Sequence, residues 1–276
     1  MKMFKKVVII GTGLIGGSLG LALKRAGLAD EVIGFSRHRK NAGLAKKLGA
    51  IDTVGTSLNE AKDADLVILA APVDAIIEFA LKISKIIKKD CIVIDVGSTK
   101  EAIVSKLSGI IPDFLGCHPL AGSEKKGALN LEAGIFKGSV CIITPVPSTR
   151  KFTLDKIKSL WEKIGARVVT LPAKRHDRIL AFTSHLPHLS AFSLISSIPD
   201  GYLVLSSSGL KDSTRICASD ANLWAEIFLS NRSNCLAALS VFQKKLSVLK
   251  LALRDKNKKR IIKFLQVSRK KREKLG

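Results

Sequence analysis

Between residues 7 and 171 short apolar runs rich in Val, Ile and Leu alternate with amphipathic stretches, and no other feature limits the fold as tightly. The runs fall at 7–10, 32–35, 66–70, 92–96, 114–117, 141–144 and 168–171. Continuous apolar runs of this length suit strands buried on both faces of a parallel sheet. Stretches with helical spacing lie between them, at 15–26, 41–48, 73–87 and 153–164. Strand–helix alternation predicts a doubly wound α/β domain. From about Pro172 strand-like runs nearly vanish, and helical stretches take over at 173–197, 222–229, 235–253 and 258–274. The 276 residues are therefore expected to divide into an α/β domain over 1–171 and a helical domain over 172–276.

The first strand run leads straight into Gly11-Thr12-Gly13-Leu14-Ile15-Gly16, which opens the first predicted helix. A GxGxxG alone is weak, but between a strand and a helix it predicts a dinucleotide-binding turn. Gly11 permits the tight turn, Gly13 lets backbone approach a pyrophosphate, and Gly16 lets helix pack on strand. The first helical N–H groups, around Leu14 and Ile15, then face the phosphate charge. Lys5 and Lys6 before the uncharged stretch 7–23 superficially resemble a signal peptide, but five glycines in that stretch argue against a membrane helix. No other segment approaches the roughly 18 consecutive apolar residues of a membrane span. After the second strand, a carboxylate would hydrogen-bond the ribose 2′-hydroxyl of NAD. Ser36-Arg37-His38-Arg39 stands there instead. Guanidinium groups pair well with a phosphate dianion, so Ser36, Arg37 and Arg39 favour NADP over NAD.

Three polar segments fall at predicted strand or helix ends. They are Asp95–Lys100, His118–Gly127, and His176-Asp177 with Ser184-His185-Leu186-Pro187-His188. Ligands of open α/β sheets bind beyond the carboxyl ends of strands, where Ser98 and His118 are expected. His185 and His188 share a helix face, and Pro187 between them should kink or open that helix. Four clustered histidines raise the question of a metal, but no acidic or Cys ligand set completes a site, so none is expected. The five cysteines are odd in number, widely spaced and free of CxxC, which fits a reducing cytoplasm better than a disulfide framework.

Taken together, Gly11–Leu19, Asp95–Lys100, His118–Gly127, Ser184–His188 and Lys211–Ile216 with Trp224 resemble the prephenate/arogenate dehydrogenase family of tyrosine biosynthesis. The motifs stand in the family's order over about three quarters of the chain. The resemblance implies a Rossmann-type doubly wound parallel sheet with a second, all-helical dimerisation domain, hence a homodimer. It also implies an oxidative decarboxylation of a cyclohexadienyl substrate. Hydride leaves ring C4 for the nicotinamide, the 4-hydroxyl loses its proton, carbon dioxide departs, and the ring becomes aromatic. Such chemistry needs a base with a pKa near working pH, and imidazole suits it. By the match His118 is that base or acceptor, and Ser98 orients the hydroxyl. Arg215 looks like the clamp on the substrate carboxylate, with Asp212 orienting it. Ser184, His185 and His188 resemble pocket-lining residues, with Glu124 and Trp224 at the edge. Leu236, Leu239, Phe242 and Leu246 recur at helical steps, and burial in a core would explain them without any dimer.

The formal net charge is +23, and residues 250–276 hold twelve Lys/Arg against two acids. A basic terminal helix can bind membranes or nucleic acid, but such runs are more often solvated faces. The charge suits a small anionic substrate and cofactor better. Two other readings compete. One is a different two-domain reductase, such as a hydroxyacid dehydrogenase or pyrroline-carboxylate reductase, which the His118–Glu124 run argues against. The other is a dinucleotide-sensing nucleic-acid binder, which would not need the set Ser98, His118 and Arg215.

Overall fold

A computed structural model of the chain describes residues 2–37, 39–121 and 131–275. Among these, eight strands form one sheet in the order β3-β2-β1-β4-β5-β6-β7-β8. The strands are β1 (Phe4–Ile10), β2 (Ala29–Phe35), β3 (Thr53–Val54), β4 (Leu66–Leu69), β5 (Ile92–Asp95), β6 (Phe114–Pro119), β7 (Val140–Thr144) and β8 (Arg167–Thr170). The first six pair in parallel, in the doubly wound order that reverses between β1 and β4. β7 departs from a fully parallel sheet. It runs antiparallel to β6, with His118 opposite Ile142, and β8 runs parallel to β7. An antiparallel neighbour needs no crossover helix, and only a short 3₁₀ turn at Ala133–Phe136 is described between them.

Helices α1 (Leu14–Arg25), α2 (Arg39–Lys47), α3 (Val73–Ile83), α4 (Glu101–Leu107) and α5 (Lys151–Lys163) cover the sheet. Two apolar clusters result. One sits under α1 and α5 and includes Ile9, Leu19, Leu23, Ile68 and the fully buried Trp161. The other sits under α3 and α4 and includes Val8, Val67, Ile76, Val93 and Ile103. Alternate residues of each central strand feed opposite clusters, as period-two geometry requires of a sheet covered on both sides.

Every described element after β8 is helical. α6 (Ala173–Leu180) runs through a π-helical turn at Ala181–His185 into α7 (Leu186–Ser196). Pro187 explains the turn. It has no N–H to donate back along the helix, and its ring would clash with the preceding turn, so the helix widens just before it. The expected opening of the helix is thus found. α8 (Ser208–Thr214), α9 (Ala221–Ser230), α10 (Arg232–Arg254) and α11 (Lys258–Arg272) complete the chain. The spacing of Leu236, Leu239, Phe242 and Leu246 suits burial in a core or at an interface, and within this chain the core role is not met. Leu236 and Leu246 are exposed, Leu239 and Phe242 are half-buried, and α10 buries only Cys235, Ala238 and Ala252.

Candidate active site

The carboxyl ends of β1, β4, β5 and β6 open on one edge of the sheet. At β1 Gly11 adopts φ +104°, and its N–H bonds to the Phe35 carbonyl at 2.8 Å. A Cβ there would stand 2.1 Å from the Ala70 carbonyl oxygen, so only glycine fits. A Cβ at Gly16 would lie 2.0 Å from the Gly11 carbonyl oxygen, which locks helix against turn. Gly13 is different, because a Cβ there would meet nothing within 4 Å. Its missing side chain keeps space open above the start of α1. Gly13 caps α1 without a side-chain bond, and no acid lies in the first turn. The N–H groups beginning at Leu14 and Ile15 are thus left for an external anion, and the buried Thr12 hydroxyl has no partner among the described residues. These residues fit a dinucleotide pyrophosphate.

β2 ends beside this turn. Ser36 is half-buried, Arg37 is exposed with its guanidinium 5.7 Å above the Phe79 ring, and Arg39 is exposed at the start of α2. The three positions cluster where the adenosine end of a dinucleotide lies in this topology.

Ser98 follows β5 and is half-buried. His118 is not past its strand, as the sequence suggested, but is the next-to-last residue of β6. Its Nδ1 lies 2.8 Å from Nε2 of His176 on α6, and His176 Nδ1 lies 2.8 Å from Asp177 Oδ1. Asp177 accepts further bonds from the backbone N–H groups of Lys100 (2.8 Å) and Glu101 (2.9 Å), capping α4 from another element. Lys100 and Asp95 form a fully buried ion pair beneath, and Asp95 Oδ2 also accepts the Gly97 N–H at 2.9 Å. From the helical side, the Asn231 amide donates to the Asp177 carbonyl (2.8 Å) and lies 3.2 Å from His185 Nδ1. Thr99 and Ser230 join hydroxyls at 3.0 Å. The two halves of the chain are stitched together at this point by polar groups.

Electrostatics follow from burial. Desolvation pushes His118 well below the ordinary imidazole value, and His176, Lys100 and His185 add to the push. His176 is lowered by burial despite its Asp177 partner. Burial alone would raise Asp177, but bonds from His176 and the Glu101 and Lys100 backbone outweigh it and hold the carboxyl low. Burial lowers His185 to about 4. His118 and His176 are therefore neutral near pH 7, and His118 can accept a proton.

The remaining expected residues lie on the helical side. His185 is buried and ends the π turn, with Cys235 Sγ 3.5 Å from its Nδ1. His188 donates through Nδ1–H to the Ser184 carbonyl (3.0 Å) and stacks on Trp224 at 3.4 Å and 22°. Arg215 opens a 3₁₀ turn after α8 and is exposed, and Asp212 stands three residues before it. Glu124 lies outside the described residues. The sequence points to His176-Asp177 and to the segment Asp95–Lys100 but not to a role for the first or an ion pair within the second, and it gives no sign of Asn231. Only the polar residues flanking buried runs hint at the first two.

Comparison with known proteins fits this geometry. The family profile "Prephenate dehydrogenase, nucleotide-binding domain" matches residues 19–170, and "Prephenate dehydrogenase, dimerization domain" matches 172–267. The cyclohexadienyl dehydrogenase of Zymomonas mobilis is 33% identical over 99% of this chain and 96% of its own length. Among solved structures, prephenate dehydrogenase from A. aeolicus in complex with hydroxyphenyl propionate and NAD+ superposes with a TM-score of 0.93 at 33% identity, covering 99% of this chain and 98% of that one. The arogenate dehydrogenase of Synechocystis gives 0.85 at 27% identity over 98% and 100%.

Proposed function

The chain belongs to the prephenate dehydrogenase family, and on that premise we propose how its residues act as an NAD(P)-dependent prephenate or arogenate dehydrogenase. The observation that carries the reading is His118, a neutral imidazole on the same sheet edge as the glycine cradle over α1. Bound nicotinamide supplies the acceptor for the hydride leaving ring C4. His118 takes the proton of the 4-hydroxyl, and Ser98, on the adjacent strand end, orients that hydroxyl. Arg215 holds a substrate carboxylate, a planar bidentate contact that Lys would make less well, and Asp212 steadies Arg215. Ser184, His185, His188 and Trp224 form the helical wall of the pocket, and the His188–Trp224 stack fixes that wall. Glu124, which lies outside the described residues, is assigned to the substrate site by the resemblance of the His118–Gly127 segment alone.

The cradle at Gly11, Gly13, Leu14, Ile15 and Gly16 holds the pyrophosphate. Ser36, Arg37 and Arg39 make NADP the preferred cofactor, because no carboxylate awaits a free 2′-hydroxyl. The cofactor domain is assigned to 1–171 and the helical domain to 172–276, whose open apolar face on α10 supports a homodimer. All five cysteines are free thiols, which supports a cytoplasmic setting. Among the described residues no helix is long and apolar enough to cross a membrane.

The test follows reduced-cofactor absorbance with prephenate and arogenate crossed against NADP and NAD. Turnover is expected with at least one substrate and fastest with NADP. His118→Ala should cut kcat at least a hundredfold with little change in KM. Absence of turnover in all four combinations would remove the enzyme reading.

A further inference from the structure

We propose that His176 and Asp177 are positioning residues that fix His118 as the base and, with it, store the substrate proton until the aromatic product takes it back. The inference rests on the dehydrogenase reading above. Its first argument is the direction of the two hydrogen bonds. An ionised carboxylate only accepts, so His176 Nδ1 must donate to Asp177. A neutral imidazole has one N–H, so His176 Nε2 then carries a lone pair and accepts from His118 Nδ1. His118 Nε2 is left with its own lone pair. The chain of contacts therefore selects the one tautomer of His118 that can take a proton through Nε2.

The second argument is proton balance. When the C4–H bond leaves as hydride, the O–H electron pair becomes the second C–O bond, and the proton passes to His118 Nε2. The ring carboxyl bond then breaks, carbon dioxide departs, and that bond's pair makes the ring aromatic. One C–O pair returns to oxygen, and the phenolic oxygen needs its proton back. The reaction releases no net proton, so the base requires a reservoir rather than a channel to solvent. The structure supplies one. His176 and Asp177 are 0% and 1% exposed. A proton at Nε2 of His118 can be matched by transfer of the Nδ1 proton to His176, which places the positive charge against the Asp177 carboxylate.

The surroundings suit this role. The groups facing the relay are the Asp95–Lys100 pair from the β5 edge, His185 from the π turn and the Asn231 amide from the start of α10. Lys100 opposes positive charge on both imidazoles, so the Asp177 carboxylate is the group that makes the charged state reachable. Capping of α4 explains Asp177 alone. It does not explain a buried imidazole inserted between that cap and His118.

The experiment compares His176→Gln, His176→Leu and Asp177→Asn with the wild type, as kcat/KM against pH from 5 to 9. Failure of the wild type to turn over would overturn the dehydrogenase reading, not the relay. Given turnover, His176→Leu and Asp177→Asn should lose about 100-fold or more at the plateau. His176→Gln keeps an acceptor for His118 Nδ1 and should recover at least tenfold over Leu. In Asp177→Asn the acid limb should move to lower pH, because the charge that favours protonated His118 is gone. Equal losses in Gln and Leu, with an unmoved acid limb in variants that still bind NADPH, would reduce the pair to a structural role and overturn the proposal. A second measurement needs no variant. Nitrogen-15 shifts of the wild type should show Nδ1–H tautomers at His118 and His176, and Nε2–H at His118 would be contrary.

Discussion

The proposed choice of NADP over NAD rests on single side chains at the β2 end. Arg37 is exposed, but it is not a free-swinging cation. Its guanidinium lies over Phe79, and Glu78 feels its charge from the same helix. A ring face and a nearby carboxylate hold the planar group at low entropic cost, ready for a phosphate dianion. Arg37→Asp should weaken NADP binding at least tenfold and leave NAD binding unchanged or tighter, as read by quenching of protein fluorescence. Equal losses for both dinucleotides would contradict the assignment. At this scale the sequence was readable where one residue type does one job. Gly11 and Gly16 announce their turn because only glycine fits there, Gly13 completes the motif by leaving space above α1, and His118 announces itself by its place after a buried run. His176 and Asp177 gave no such signal. Their role depends on a contact spanning 58 residues of sequence, which spacing cannot reveal.

Elements were legible in proportion to their length. The strands buried on both faces and the long amphipathic helices could be read from periodicity, whereas β3, with two residues, and α4, with seven, are too short to show a period. α4 also lacks a cap of its own and borrows Asp177 from α6, so its start is a tertiary event. The junction of β6, α6, the π turn and α7 gathers His118, His176, His185 and His188, all lowered by burial. An unfolded histidine titrates near 6.5. Each folded value lies below that, so the unfolded chain binds more protons in acid. Stability contributed by these neutral histidines is complete above about pH 6.5 and falls as pH drops toward the folded values. His185 alone, moving from 6.5 to about 4, accounts for on the order of 3 kcal/mol at the acid end of that window. Asp52, Asp65 and Asp177 are held below the carboxylate range, so their contribution persists until lower pH. Asp95, pushed up by burial, opposes the trend by taking a proton in the folded state. The urea midpoint should therefore drop between pH 7.5 and pH 5, and His185→Gln should flatten the slope. A midpoint constant over that interval would show that the histidines are not held neutral.

At the scale of the whole molecule, the sheet domain satisfies its own apolar surface and the helical domain does not. The 23 residues of α10 span about 35 Å. Along them Leu236, Val241, Leu246 and Leu253 remain 46–59% exposed, and on α11 Leu265 and Val267 do likewise at 55% and 57%. Exposed apolar residues in such number that find no cover among the described residues of their own chain mark a surface meant to be covered. Periodicity showed that these side chains want burial but could not show whether the same chain provides it, which is why a core role and an interface were equally readable from sequence. The match of residues 172–267 to a dimerization domain favours a second copy as the cover. In a dimer built on α10, like-charge repulsion would favour an arrangement that keeps the basic segments 250–276 of the two copies apart. Light scattering should give twice the 29.8 kDa chain mass for the wild type. Leu236→Glu with Leu246→Glu places two carboxylates in the apolar stripe and should halve that mass while NADPH binding persists. A double variant that stays at the wild-type mass would move the interface off α10.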